Sequence, residues 1–457
     1  MRDERHELCV IGAGTAGFAA AETARAAGRD VVLVVGEEEL GGTCILRGCM
    51  PAKTLLAATE LEHEVERAHD VGVETGPTHV DLPAIVRRKR ALVDYFAADR
   101  MHELETYPLV RGDARFVAPD IVVVGERRIA AERFVVATGA KTMLPRIDGL
   151  AEVPTITSSD VLEMTRAPRS IAVLGGGPIG CAFAQFFARL GTPVTLFQDA
   201  PELLRADDPD VGSAVRASLL RDGVDVVTAA DVRRVFRDGD VTVIVADTPD
   251  GAHGARCETV LIATDRRPNV DGLDLAAGGI DGDHARGIVV DEVLRSRSNR
   301  RVFAAGDVLG RRNLVHTAEY GGRLAARNAF ADEPVAAQWD RWESHALYTT
   351  PQVAIAGLTE RVCRARGIDV RVARIPASEV GEALVASEAE GFVKMLARRD
   401  DGRVVGIALV AGDAIDLAGE AIALIDRGAT AREIAEMPHL HPTMSELLAR
   451  VAEKFLD

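Results

Sequence analysis

The sequence predicts an α/β protein: two copies of one strand–loop–helix–strand unit, followed by a separate α+β domain. Three observations carry that expectation. Gly12-Ala13-Gly14-Thr15-Ala16-Gly17 stands between an apolar run and a helical run, and Gly175-Gly176-Gly177-Pro178-Ile179-Gly180 stands in the same context further along. From Trp339 onward, short β-rich runs precede helical ones and no such loop recurs.

With 457 residues the chain has room for roughly three domains. Apolar residues make up 47% and charged residues 27%, the balance of an ordinary globular protein. A net charge of -16 argues against a nucleic-acid-binding surface, and the basic cluster Arg87-Arg88-Lys89-Arg90 reads as the solvated face of a helix. The N-terminus lacks the pattern of a signal peptide, and no apolar run reaches about 18 residues, so neither secretion nor a membrane span is expected. A cytoplasmic protein is expected.

The first unit runs from the strand Leu8–Ile11 through the loop to a helix ending at Gly28, then to the strand Val31–Val35. In a GxGxxG loop of this kind, Gly12 permits the tight turn, Gly14 lets the backbone approach a pyrophosphate, and Gly17 allows close helix–strand packing. These flanks make the unit a Rossmann-like dinucleotide-binding domain. An acid near the end of the second strand binds a ribose hydroxyl, and here Gly36 is followed by Glu37 and Glu38, of which Glu37 is the expected ligand.

The second unit repeats the arrangement: strand 170–174, the loop with Gly175, Gly177 and Gly180, helix 181–190, Gly191, and strand 193–197. Two such domains imply two dinucleotides, one held permanently and one exchanging. The acid position of this copy holds Gln198, which selects neither NAD nor NADP; with Arg205 alone nearby and no arginine pair, the sequence leans to NAD.

Between the two strands of the first unit and the second unit lies Gly41-Gly42-Thr43-Cys44-Ile45-Leu46-Arg47-Gly48-Cys49-Met50-Pro51-Ala52-Lys53. Cysteines five apart point to different faces of a regular helix unless the backbone distorts, and Gly48 and Pro51 supply the distortion. Pro51 suits a helix's first turn, so Cys49 sits near a helix N-terminus, where the partial positive charge and Lys53 favour thiolate. The pair reads as a redox-active disulfide, against a zinc site or two ordinary thiols. Zinc wants a second pair at short spacing, whereas Cys9, Cys181, Cys257 and Cys363 are scattered singly in apolar segments, as core residues are.

Two further stretches are informative. The strand 301–305 delivers Asp307 into a glycine turn, to bind a hydroxyl chain or to cap the following helix. In His439-Leu440-His441-Pro442-Thr443-Met444-Ser445-Glu446, Thr443 and Glu446 match a helix capping box. A histidine beside a fixed carboxylate has a set tautomer and suits a general acid–base partner for a thiol, which makes His441 and Glu446 catalytic candidates with Cys44 and Cys49.

Taken together, the two GxGxxG repeats, Gly-Gly-Thr-Cys-x4-Cys-x-Pro-x-Lys, Ala305-Gly306-Asp307 and His-Pro-Thr-x-Ser-Glu resemble the FAD-dependent pyridine nucleotide-disulfide oxidoreductases over nearly the whole chain. Within that family the pattern is most similar to dihydrolipoyl dehydrogenases, with mercuric and glutathione reductases as relatives. The resemblance implies FAD and NAD or NADP as cofactors, with the nicotinamide on one face of the flavin and Cys49, as a charge-transfer thiolate, on the other. Cys44 would exchange with a small-molecule or protein-bound dithiol or disulfide, and His441, oriented by Glu446, would move its proton. The histidine comes from the partner subunit in such enzymes, so a homodimer built by the C-terminal domain is implied. Lys53 would lie by the flavin and Asp307 on the ribityl chain, with Thr43, Ala114, Thr138, Gly139 and Val315 also on FAD and Val232 on the nicotinamide nucleotide. The division implied is 1–147 with 270–336 for FAD, 148–269 for NAD(P), and 337–457 for dimerisation.

Three positions depart from the family pattern: Ala182 stands where a glutamate pairs with the lysine, Asp265 replaces a glycine, and the FAD-side acid is shifted or missing at Gly36. Reduction of a metal ion or quinone is the alternative activity, and a dimeric flavoprotein redox sensor the alternative class.

Overall fold

Val31–Val35 is a strand of five consecutive aliphatic residues, every one of them buried, as a parallel strand covered on both faces requires. The computed structural model describes residues 4–36, 41–311, 313–339 and 344–456. Two units arise from the chain: residues 1–52, 87–143 and 265–339 form one, and residues 53–86, 144–264 and 340–457 the other.

In the first unit the parallel strands run in the order Leu109–Arg111, Val31–Val35, Glu4–Ile11, Arg127–Val136. The last of these, ten residues long, serves two partners along one edge. Its N-terminal part pairs antiparallel with Ile121–Val124, Val124 facing Arg127, and its C-terminal part pairs parallel with Val302–Ala304, Val302 facing Phe134. Ala114–Ala118 extends the antiparallel side. The helices Thr15–Ala26 and Val315–Phe330 cross closely, because a Cβ at Gly322 would stand 2.1 Å from the Ala16 carbonyl oxygen.

The second unit holds a parallel sheet in the order Asp225–Val227, Val194–Phe197, Ile171–Leu174, Thr259–Ile262, Thr155–Thr157. A three-stranded antiparallel sheet, Asp231–Asp238, Val241–Thr248 and Gly251–Cys257, is inserted in sequence between the parallel strands Asp225–Val227 and Thr259–Ile262. The same unit carries a five-stranded antiparallel sheet, ordered His345–Leu347, Gln352–Gly357, Val404–Ala411, Phe392–Arg398, Val370–Pro376. The buried Lys394 ammonium fastens this sheet to its surroundings, 2.8 Å from both Asp208 and Asp210 and 2.9 Å from Glu360.

Some elements differ from the sequence expectation for identifiable reasons. The last helix spans Glu446–Glu453 rather than beginning at Thr443, because the Thr443 hydroxyl donates to the Leu440 carbonyl instead of capping the turn. The helix expected from Arg87 starts at Leu82, capped by the Asp81 carboxylate, which accepts from the Ala84 amide at 3.0 Å. Asp307 lies in a short 3-10 turn, Gly306–Leu309, after a strand that ends at Ala304. The next helix has Leu314 at its cap position, so capping is not the role of Asp307.

Candidate functional site

The parallel strands of the first unit deliver their loops to one end, where ligands of such sheets bind. Gly12, at φ +104°, stands so close to the neighbouring strand that a Cβ would lie 2.3 Å from the Ala137 carbonyl oxygen. At Gly17 a Cβ would lie 1.8 Å from the Gly12 carbonyl oxygen. The helix Thr15–Ala26 thereby meets the strand at its first turn, with its N–H groups turned to the loop. Thr138 and Gly139 follow Ala137 directly. The Thr138 hydroxyl donates to the Asn269 carbonyl at 2.6 Å, and the Asn269 amide donates to the Gly139 carbonyl at 2.9 Å, which pins the loop to the returning chain.

The cysteine segment begins on top of this loop. Gly41 and Gly42 adopt φ of +112° and +76°, and a Cβ at Gly42 would lie 2.5 Å from the Gly14 Cα. Thr43 and Cys44 then fall in the short helix Gly42–Arg47. Gly48 breaks it, and a Cβ there would meet the Thr43 carbonyl oxygen at 2.8 Å and the Cys44 Cα at 3.2 Å. Gly48 thus folds the chain back onto the turn bearing Cys44, and Cys49 opens the next helix, Cys49–Arg67, as its first residue. Both cysteines are partly exposed. A thiol at the first position of a 19-residue helix sits in the positive end of its dipole. The other four cysteines are buried free thiols. Burial pushes Cys181 up to about 12 and Cys257 up to about 11, far from any reactive range.

Asp307 is half-buried beside the same loops, since Gly306 abuts Ala16. Burial raises its pKa, against the pull of the Arg266 guanidinium. Val315 opens the helix Val315–Phe330, and Ala114 is buried at the start of its strand. Glu37 lies outside the described residues. The carboxylate found beside Gly36 belongs to Asp113, whose Oδ1 is 3.6 Å from where a Cβ of Gly36 would stand. The sequence alone does not point to Asp113, which follows the third strand 77 positions on from Gly36 (113 − 36); the parallel pairing of Leu109–Arg111 with Val31–Val35, extended by the hydrogen bond from the Gly112 amide to the Val35 carbonyl, brings it there. The glycine cradle, the helix N-terminus and the Asp307 carboxyl fit a dinucleotide of the flavin type.

In the second unit Gly175 and Gly180 repeat the contacts of Gly12 and Gly17: their Cβ atoms would lie 2.4 Å from the Ala263 and 1.8 Å from the Gly175 carbonyl oxygens. Gly177 faces open space among the described residues. Gln198 is buried, and its Oε1 accepts from the Gly176 amide at 2.6 Å. Val232 packs on the apolar core beside the antiparallel sheet and faces Ala246.

Lys53, one helical turn after Cys49, places its ammonium over the Tyr348 ring. Tyr348 and Ala182 line a cavity of about 10 Å³ with Glu60, Gln185 and Arg189. The lysine charge thus meets an aromatic face. The Asp265 backbone carbonyl accepts from the Met143 amide at 2.8 Å.

His441 and Glu446 meet as expected: Nδ1 of the imidazole is 3.0 Å and 3.2 Å from the two carboxylate oxygens. The carboxylate also accepts from the Thr443 amide at 3.2 Å, the one half of the expected capping box that forms. The hydrogen bond from His441 is the main cause holding Glu446 below the usual carboxylate range. With Nδ1 engaged, Nε2 is the nitrogen left to exchange a proton, and the histidine side chain is 77% exposed. No group of three or more His, Cys, Asp or Glu suited to a metal ion occurs among the described residues, and none of their helices is long and apolar enough to cross a membrane.

Residues 6–322 match the family described as pyridine nucleotide-disulphide oxidoreductase, and residues 344–452 match its dimerisation domain. The chain is 34% identical to a mercuric reductase of Bacillus cereus over 444 residues, 96% of this chain and 70% of the relative. It is 30% identical to a dihydrolipoyl dehydrogenase of Bacillus subtilis over 449 residues, 96% of each. Among solved structures it resembles the Cu(II) complex of the HOCl-induced flavoprotein disulfide reductase RclA from Escherichia coli, with a TM-score of 0.86, 25% identity and 99% of both chains covered.

Proposed function

The chain belongs to the pyridine nucleotide-disulphide oxidoreductase family, whose members use FAD and a pyridine nucleotide, and from that premise we propose that it passes electrons between NAD(P)(H) and a dithiol or disulfide substrate through Cys44 and Cys49. The observation that carries this reading is the cysteine geometry. Gly48 sets Cys49 at a helix N-terminus and folds the backbone onto Cys44, so one thiol is stabilised as thiolate while its neighbour stands on a separate short helix.

FAD, held by Gly12, Gly14, Gly17, Thr43, Thr138, Gly139 and Asp307, supplies the two-electron carrier between nicotinamide and disulfide. In the reducing direction the Cys44 thiolate attacks one sulfur of the substrate disulfide, and the first product leaves as a thiolate that takes a proton from His441 Nε2. The Cys49 thiolate then attacks the Cys44 sulfur, closing the Cys44–Cys49 disulfide and releasing the second product as a thiolate, which takes its proton from solvent. Two electrons and two protons are consumed per substrate disulfide. Glu446, bonded to Nδ1, fixes the tautomer that leaves Nε2 as the nitrogen for this proton transfer. We assign the histidine to the second subunit of a homodimer formed by residues 337–457, with residues 1–147 and 270–336 holding FAD and 148–269 holding the nicotinamide nucleotide. Dihydrolipoamide-like dithiols are the first substrates to test, because the His441–Glu446 pair serves thiol proton transfer.

Cys44→Ser is expected to keep FAD and lose lipoamide reduction by NADH or NADPH by a factor of at least about 10³; retained turnover would sink the reading. A second reading, reduction of a soft metal ion, is motivated by the two partly exposed cysteines and by a relative named mercuric reductase. The two part at His441→Gln, which removes the proton donor that a disulfide needs and a metal ion does not.

A further inference from the structure

We propose that Asp199 selects the coenzyme at the second glycine loop, by accepting hydrogen bonds from the adenosine ribose hydroxyls, so that the protein takes NAD(H) in preference to NADP(H). The inference rests on the reading that this loop binds a pyridine nucleotide. The strand Val194–Phe197 ends beside the loop, and a Rossmann unit places its selecting side chain there. By position that residue is Gln198, but Gln198 is already engaged in the fold. It is 5% exposed; its Oε1 accepts from the Gly176 amide at 2.6 Å, and its Nε2 donates to Asp199 Oδ1 at 2.8 Å. Both ends of the amide hold the fold, one the glycine loop and the other the next side chain, and at 5% exposure the group presents almost no surface to a ribose.

Asp199 is the first side chain after the strand to reach solvent, with 73% of it exposed. Its orientation is nonetheless fixed, since Oδ1 accepts from both Gln198 Nε2 and the Ala200 amide, each at 2.8 Å. Oδ2 is left on the outer side, 3.7 Å from Arg205 Nη1. A held carboxylate with one oxygen outward is an acceptor for vicinal hydroxyls. It repels the two negative charges of a 2′-phosphate at the same place, and Arg205, itself 59% exposed and already near Asp199, offsets only part of that repulsion. Gly177, where a Cβ meets nothing within 4 Å among the described residues, leaves the loop open for a pyrophosphate to approach.

The test is calorimetric titration of the oxidised holoenzyme with ADP-ribose and with its 2′-phosphorylated form, supported by kcat/KM for NADH and NADPH. The wild type is expected to favour ADP-ribose by about 10²-fold. Asp199→Ala, at an exposed position where folding and FAD content should hold, is expected to erase most of that ratio, while Asp199→Asn keeps part of it by retaining one acceptor. A wild type that favours the 2′-phosphorylated ligand, that binds neither, or whose preference survives Asp199→Ala overturns the proposal. These titrations need no disulfide turnover, so failure of the Cys44 assignment would leave the ratio standing, and loss of the ratio would leave the cysteine chemistry standing.

Discussion

The two glycine loops are near copies in their lower half and differ in what lies above them. In both, the first glycine donates its amide to the second strand, Gly12 to Val34 at 2.7 Å and Gly175 to Phe197 at 2.8 Å. In both, the neighbouring strand closes on the loop, Ala137 donating to Ile11 and Ala263 to Leu174, each at 2.8 Å. The helices that follow are both 12 residues long. Above the second glycine the copies part. Gly14 is met by Gly42, so the first loop is roofed by the segment that carries Cys44, whereas Gly177 stands open among the described residues. The same scaffold can thus serve a resident dinucleotide and an exchanging one, the difference lying in one added segment.

The lower half is where substitution should do the most damage. A methyl group at Gly17 or at Gly180 would be forced to 1.8 Å from a backbone oxygen, and a loss of about 3 kcal/mol or more is expected for each. Their consequences should separate. Gly17→Ala is expected to yield protein without FAD, and Gly180→Ala to yield protein that keeps FAD but no longer binds ADP-ribose. Flavin absorbance and calorimetry read the two outcomes. Equal loss of FAD in both variants would break the assignment of one dinucleotide to each loop.

A smaller and more pointed contrast lies at the second glycine. Gly42→Ala puts a methyl group 2.5 Å from the Gly14 Cα at a φ of +76°, so the roof must lift and FAD should leave roughly tenfold faster or more. Gly177→Ala has space for its methyl group, so stability should be unchanged within about 0.5 kcal/mol. Its effect should fall on ADP-ribose affinity, reduced about tenfold, because the methyl group occupies the path of the pyrophosphate. Fluorescence of released flavin and the ADP-ribose titration measure the pair. An open-loop variant that lost FAD instead would show that the roof is not what distinguishes the sites.

How much of this was legible in the sequence follows from the range of each interaction. The glycine loops, the helix stops at Gly28 and Gly191, the break at Gly48 and the pairing of His441 with Glu446 are all local, and the residue types state them. What escaped is non-local or disguised by polarity. Asp113 reaches Gly36 from another strand, and Asp199 gains its significance only because Gln198 turns inward to Gly176. The antiparallel sheet Asp231–Cys257 is not legible in the sequence, apart from Val232, because charged residues such as Asp231, Arg233, Arg234, Arg237 and Asp238 occupy its exposed strand positions. Tyr348 was invisible as a partner of Lys53, being 295 positions away (348 − 53).

The finest test of the comparison is at the far end of the two loop helices, where the copies should behave identically. Each helix stops in the same motif. Gly28 donates to Arg25 and Arg29 to Ala24, and Gly191 donates to Ala188 and Thr192 to Phe187, all at 2.9 to 3.1 Å. The two glycines have φ of +76° and +77°, and a Cβ at either meets nothing within 4 Å among the described residues. Alanine therefore creates no clash and costs only the left-handed conformation, about 1–2 kcal/mol at each position. Gly28→Ala and Gly191→Ala should lower the urea midpoint of their own units by similar amounts while leaving FAD content and ADP-ribose affinity as they were. A matched pair of small losses would confine the functional difference to the roof at Gly42 and the strand end at Asp199. If Gly28→Ala alone released FAD, the two scaffolds would already differ below the loop.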